Sequence, residues 1–309
     1  MLLHLCYALD FPMLDQWEFV PTLQAWHEGR LGLAELFAQH NEHRPALPRA
    51  LQLLLAIATG WDVRAESTLT LVFAAVGSAL LLRALRPVIL SLGNHHQALA
   101  CFTLSAIYFS AVQWQNWLLG WQLQLVLSST LVIAAYSLLL RPAWQRFFAS
   151  LLLAFAASFS FANGLLVWPI GFLLLLGQPL HSSAFRLKTS ALWILGFATT
   201  ATLYFHDYHT PPQHATAGAW SMGTGAYFFA YLGAPLFPYA SAGAAVVGGV
   251  LLWGIVWAFA APGTARRSTD AGLLPAHDPV PPLPRLSQLI ERGSGLWLAL
   301  ALHALGSAA

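Results

Sequence analysis

Seven stretches of this chain run on with almost no ionisable side chain, and nothing else in it constrains the fold as tightly. They cover about residues 67–82, 98–113, 118–140, 147–162, 164–177, 190–206 and 242–260. A bilayer core of ~30 Å takes about 20 apolar residues of helix, fewer where a segment is buried among others. Each stretch is rich in Leu, Ala, Val and Phe, and none alternates with the period of two that a membrane β-strand shows. The expected fold is therefore all-α: a polytopic transmembrane helical bundle of about seven full spans. Composition agrees, because only 8% of the 309 residues are charged while 58% are hydrophobic. A soluble domain carries roughly 25% charged residues. That deficit excludes a soluble enzyme, a disordered chain and a nucleic-acid binder, which needs a basic patch. Cys6 and Cys101, the two cysteines, make neither a disulfide framework nor a zinc spacing.

The ends are abbreviated. Nine helical residues at 1–9 rise only ~13 Å, short of the hydrocarbon thickness. This stretch also lacks the basic start and cleavage site of a signal peptide. Residues 295–309 form a second partial transmembrane segment, so the chain reads as a truncated form of a longer architecture. The parts are then a transmembrane module over 1–260, a Pro-rich cytoplasmic linker over 261–294, and the terminal segment.

Cation placement sets the orientation. Arg83, Arg86, Arg141, Arg146, Arg186, Lys188, Arg266, Arg267, Arg285 and Arg292 follow alternate spans and belong in the cytoplasm. The remaining cations, Arg30, Arg44, Arg49 and Arg64, fall in one long outer loop, 10–66. Trp114, Trp117, Trp121, Trp168 and Trp220 are expected in the outer aromatic belt, with Trp144 and Trp193 in the inner one. Residues 226–238, broken by Gly-Ala-Pro, are expected to lie in the interface or to re-enter.

The outer loop concentrates the chemistry. Eight of the twelve acids lie there: Asp10, Asp15, Glu18, Glu28, Glu35, Glu42, Asp62 and Glu66. Apolar residues recur at helical spacing (Leu23, Trp26; Leu31, Leu33, Leu36, Phe37), and Pro21 suits a first helical turn, which predicts interfacial helices. Asp10, Asp15 and Glu18 follow the first apolar segment beside Trp17 and Phe19. They are candidate catalytic carboxylates, or they simply mark the end of an apolar helix. His40-Asn41-Glu42-His43-Arg44-Pro45, then Arg49, joins a carboxylate, imidazoles and guanidiniums. Arg44 and Arg49 are suited to clamping a phosphate bidentately; the alternative is a solvated turn closed by Pro45. Gln113, Gln115, Asn116, Gln122, Gln124 and Asn163 are expected in the outer halves of spans, as a polar lining or as helix-to-helix adhesion. His40 with His43, and His206 with His209, stand three residues apart, which on a helix is one face. Without a third fixed ligand that spacing is a weak metal signal. No phosphate-binding loop, dinucleotide fingerprint, serine-hydrolase elbow or D-x-D pair occurs.

The runs Leu14-Asp15-Gln16-Trp17-Glu18-Phe19-Val20-Pro21, His40-Asn41-Glu42-His43-Arg44-Pro45, Gln113-Trp114-Gln115-Asn116-Trp117 and Phe161-Ala162-Asn163-Gly164-Leu165 resemble bacterial inner-membrane proteins grouped with the lipid-linked GT-C glycosyltransferases. The likeness covers roughly residues 1–260. It implies sugar transfer at the outer face of the inner membrane from a polyprenyl-phosphate donor, with an acid just past the first span as base or metal holder. Asp15 occupies that place, with Asp10 or Glu18 as substitutes. Gln16 stands where a second acid often follows, and the further spans and large outer domain of longer members are missing. The implied substrate-binding set is Glu42, His43, Arg44, Arg49, Gln115, Asn116 and Asn163. A divalent metal is the one cofactor left open. The implied partners are the lipid bilayer and the polyprenyl-phosphate-linked sugar, with no nucleotide and no nucleic acid. The rival readings are a transporter or flippase-like protein and an inactive, truncated paralogue.

Overall fold

The computed structural model describes residues 2–140, 143–177, 182–211, 222–237, 242–260 and 295–308. Every regular element among them is helical, apart from one isolated bridge between His40 and His43. The order is α1 (Leu2–Tyr7), a 3-10 segment (Leu14–Phe19), α2 (Val20–His27), α3 (Leu33–Leu36), α4 (Ala46–Thr59) and α5 (Val63–Leu90). Then come α6 (Asn94–Tyr108), α7 (Trp114–Leu118), α8 (Leu123–Leu139), α9 (Trp144–Ser158) and α10 (Val167–Gly177). α11 (Ser183–Phe205), α12 (Met222–Gly233), α13 (Ala242–Ala260) and α14 (Gly295–Ala308) complete the described set. The Pro-rich stretch read as a linker, with His214, Trp220, Arg141 and the four distal arginines, lies outside the described residues.

Two described helical runs, Val63–Pro87 and Gly120–Leu139, are long and apolar enough to cross a membrane. Four shorter apolar helices accompany them, at Ala46–Thr59, Ala162–Gly177, Ala242–Gly254 and Gly295–Ser307. Several of the expected boundaries move. The first long helix begins at Val63, which takes Glu66 out of the loop and into its first turn. The stretch expected to span 98–113 is helical only to Tyr108, and 109–122 breaks into short turns that carry Gln113, Gln115, Asn116 and Gln122. Gln113, Gln115 and Asn116 therefore stand on short segments outside the span-length helices, while Gln122 and Gln124 fall at the start of the run Gly120–Leu139.

The core is built from α8, α9, α10, α11 and α14. Ser150 Oγ donates to the Ala135 carbonyl at 2.8 Å and Ser128 Oγ to the Ala157 carbonyl at 3.2 Å, so α8 and α9 run antiparallel with hydroxyls bridging them. Thr130 Oγ1 ties α8 to the Phe73 carbonyl of α5 at 3.0 Å. Trp168 and Trp193 are the largest side chains at the centre, both about 1% exposed with ring centroids 4.9 Å apart. They were expected in opposite aromatic belts; rings in contact cannot lie at opposite faces. Trp193 Nε1 donates to the Trp168 carbonyl and Trp168 Nε1 to Ser158 Oγ, so both indole N–H groups are satisfied inside the bundle. Outside, the polarity inverts: Leu99, Phe102, Leu152, Leu195, Val246 and Trp253 are each at least 60% exposed.

Residues 226–238 are expected to lie in the interface or to re-enter; the described part runs from α12, packed along α13, into a turn at 234–237. A Cβ on Gly233 would fall 1.9 Å from the Ala244 carbonyl oxygen, and one on Gly248 1.8 Å from that of Phe229. Only glycine lets these two antiparallel backbones touch. At the other end of the chain, the six-residue α1 is docked through His4, whose ring reaches the Trp117 carbonyl and Thr68 Oγ1.

Candidate functional site

The segment between α1 and α5 folds over one end of the bundle. Ala46, Phe159 and Tyr204 bury each other there, and the Leu47 amide donates to the Phe159 carbonyl at 3.1 Å. The polar run 40–45 is thereby carried onto the ends of α9 and α11. His40 and His43 do not share a helix face as their spacing suggested. They close a tight turn through reciprocal N–H to carbonyl bonds of 2.8 and 2.9 Å, with Asn41 at φ +48°. Asn tolerates that left-handed conformation better than most residues. His206 and His209 are not helical either: α11 ends at Phe205, and Asp207 turns the chain at φ +50°.

The 40–43 turn aims its two imidazoles differently. The His40 ring packs edge-on against Trp121, centroids 4.9 Å apart, and its Nε2 lies 3.7 Å from Asp15 Oδ2. Asp15 is exposed, and Leu14 before it holds φ +53°, a conformation that disfavours a bulky residue. The His43 ring lies 3.9 Å from that of Phe161, and its Nδ1 accepts the Ala162 amide at 3.3 Å. Its proton is therefore on Nε2, facing Glu42 Oε1 at 3.2 Å.

The two arginines expected to clamp a phosphate are turned largely inward. Arg44 donates from Nε to the Tyr204 carbonyl (2.6 Å), from Nη1 to that of Phe37 (2.9 Å) and from Nη2 to that of His206. Three of its five N–H groups thus tie the loop to the end of α11. Arg49 donates to the carbonyls of Leu36 and Ala38, while its buried Nε meets no partner. Burial pushes the Arg49 guanidinium down to about 10, opposed by the field of Glu18, so it stays cationic at neutral pH.

A cavity of about 980 Å³ opens between α3 and the end of α11. Leu33, Phe37 and Leu203 contribute apolar lining; Asn41, Arg44, His206 and Asp207 contribute polar lining, with His206 Nδ1 3.0 Å from Asp207 Oδ2. Gln39 and Asn41 also line it, on either side of His40 in the chain. Gln39 is fixed by a two-point exchange with His209: its Nε2 donates to the carbonyl at 2.6 Å and its Oε1 accepts the amide at 3.0 Å.

The other expected site residues are dispersed. Asp10 Oδ1 accepts the Val63 amide at 2.9 Å, capping the start of α5, and lies 3.8 Å from Arg64. Gln115 lines a separate cavity of about 610 Å³, against Tyr231 and Pro235. Asn116 donates to Gln113 Oε1 at 3.2 Å. Asn163 is half-buried in the turn that follows Ala162. Among the described residues no group of three His, Cys, Asp or Glu is placed to hold a metal.

One residue outside the expected set stands out. Glu66 is 1% exposed; its Oε2 accepts from Gln16 Nε2 (2.8 Å) and Gln52 Nε2 (2.9 Å), and its Oε1 from Trp61 Nε1 (3.3 Å). Gln16 and Gln52 are equally buried. Gly120 closes the cage: a Cβ there would come within 2.4 Å of Gln16 Nε2 and 2.6 Å of Glu66 Oε2. Four chain segments thus converge on one carboxylate through neutral donors. The usable signal was a carboxylate in the first turn of a long apolar helix, with Gln16 rather than an acid in the loop.

No protein-family model, curated protein or solved structure matches this chain.

Proposed function

We propose that the chain is an integral-membrane glycosyltransferase of the GT-C kind, moving a sugar from a polyprenyl-phosphate donor at the outer face of a bacterial inner membrane. In this reading the seven apolar stretches cross the bilayer, α5 and the run ending α8 being the two long enough on their own criteria. The exposed leucines and phenylalanines of the bundle then face lipid, and its buried serines and threonines bond to main-chain carbonyls inside it. The carrying observation is the cavity beside α3. Its apolar lining residues suit a prenyl chain, and Arg44 and His206 in the same lining suit its phosphate.

The reaction follows from the neighbouring turn. Asp15, exposed 3.7 Å from the His40 ring, takes the proton of an acceptor hydroxyl. The acceptor oxygen bonds to the sugar's anomeric carbon as the bond from that carbon to the phosphate oxygen breaks. Polyprenyl phosphate leaves with the electron pair, its growing charge met by the two N–H groups of Arg44 that the main chain does not occupy. Replacing Asp15 with Asn should lower transfer from a polyprenyl-phosphate sugar by about 10²–10⁴-fold with membrane insertion unchanged. Undiminished transfer would remove Asp15 as the base.

A further inference from the structure

At the opposite end of the bundle, a cavity of about 540 Å³ opens where α5, α8, α9 and α14 meet. Arg83 and Arg146 line it beside Leu80, Ser137, Leu296 and Trp297. From Glu66 to Arg83 is seventeen helical steps, about 25 Å along α5, so this cavity lies a bundle's length from the acid-rich loop. Neither arginine makes an ion pair or hydrogen bond among the described residues, in contrast to Arg44 and Arg49. Ser137 Oγ is already committed to the Ile133 carbonyl. The first three described residues of α14, Gly295 to Trp297, form part of its lining. Every acid in the described residues lies in 10–66 or at Asp207, so nothing described here offsets these charges.

We infer that this cavity holds the headgroup of an anionic phospholipid of the cytoplasmic leaflet, its phosphodiester between Arg83 and Arg146 and its acyl chains along the apolar outer surface. Two exposed guanidiniums without a partner among the described residues can each offer a phosphate two parallel N–H groups. Leu80, Leu296 and the Trp297 ring supply the boundary between headgroup and chain that an amphiphile needs and a free anion does not. The inference rests on the membrane reading above and is independent of the transfer reaction.

The test is native mass spectrometry of the full chain in detergent, titrated with phosphatidylglycerol or phosphatidylcholine and, separately, with glycerol phosphate. Wild type should retain phosphatidylglycerol at least tenfold more tightly than phosphatidylcholine, and glycerol phosphate should not displace it. Arg83→Gln and Arg146→Gln should each weaken retention about fivefold, and Arg83→Lys and Arg146→Lys should weaken it less, because lysine keeps the charge but loses the two-point geometry. Raising salt on the wild type should weaken it in parallel, a readout that needs no variant to fold. Equal retention of both lipids, retention unaffected by the glutamine substitutions or by salt, or displacement by glycerol phosphate would each overturn the assignment. Since no sugar transfer is measured, failure here leaves the outer reaction standing, and the reverse holds too.

Discussion

The two ends of the bundle treat charge in opposite ways. At the loop end, Arg44, Arg49 and Glu66 are buried and engaged by main-chain carbonyls, carboxamides and an indole, and the half-buried Asp62 is paired with the exposed Arg64. At the other end, the exposed Arg83 and Arg146 line a cavity and meet no hydrogen-bond or ion-pair partner among the described residues. A charge engaged by the protein's own backbone builds architecture; one left facing a cavity is available to a ligand. By that measure the loop-end arginines are chiefly staples. Arg44 is the exception, since it also lines the larger cavity.

The contrast breaks first at Arg44. Arg44→Ala should lower stability by about 4 kcal/mol, because it leaves buried carbonyls without charge-assisted donors. Chemical unfolding in detergent measures this, and an unchanged midpoint would mean that the loop is held by apolar packing alone. Glu66→Leu comes next, at about 3 kcal/mol, since Gln16, Gln52 and Trp61 would each lose their acceptor in a dry site. Glu66→Gln should cost less because it keeps one acceptor oxygen. The smallest effect belongs to the Asp62–Arg64 pair. Hydrogen bonds from the Arg64 side chain hold the Asp62 carboxyl below its usual range. A depressed folded value means that the pair's contribution is present above the ordinary carboxylate pKa of about 3.9 and is lost as pH falls through the lower folded value. Wild type and Asp62→Asn should therefore differ slightly near neutral pH and converge in acid, a difference that salt should shrink further.

The helical class was legible because long uncharged apolar runs leave a backbone few alternatives. Pro21 marked the first turn of α2, and the apolar run near residues 50–59 marked α4, which begins slightly earlier at Ala46. Helix ends were less legible: 109–122 is apolar enough to continue a helix, yet the structure breaks it into turns, with Ser110 Oγ accepting the Val112 amide at 3.3 Å. The tryptophans misled for a different reason. Trp168 and Trp193 look like belt residues by type, but each N–H finds a partner within the bundle, so the core accepts them.

By itself, then, the sequence determined an all-helical, apolar chain with its acids gathered in one loop and most of its cations kept apart from them. It also put Asp15 and a run rich in histidine and arginine in that same loop. Only the tertiary structure decided which of those charges meet. It brought Asp15 to His40, turned Arg44 and Arg49 into ties for the backbone, and enclosed Glu66 under Gly120. The physical reason is that burial and hydrogen-bond pairing depend on what four or five distant segments deliver to one point. A composition or a local spacing carries no record of that convergence.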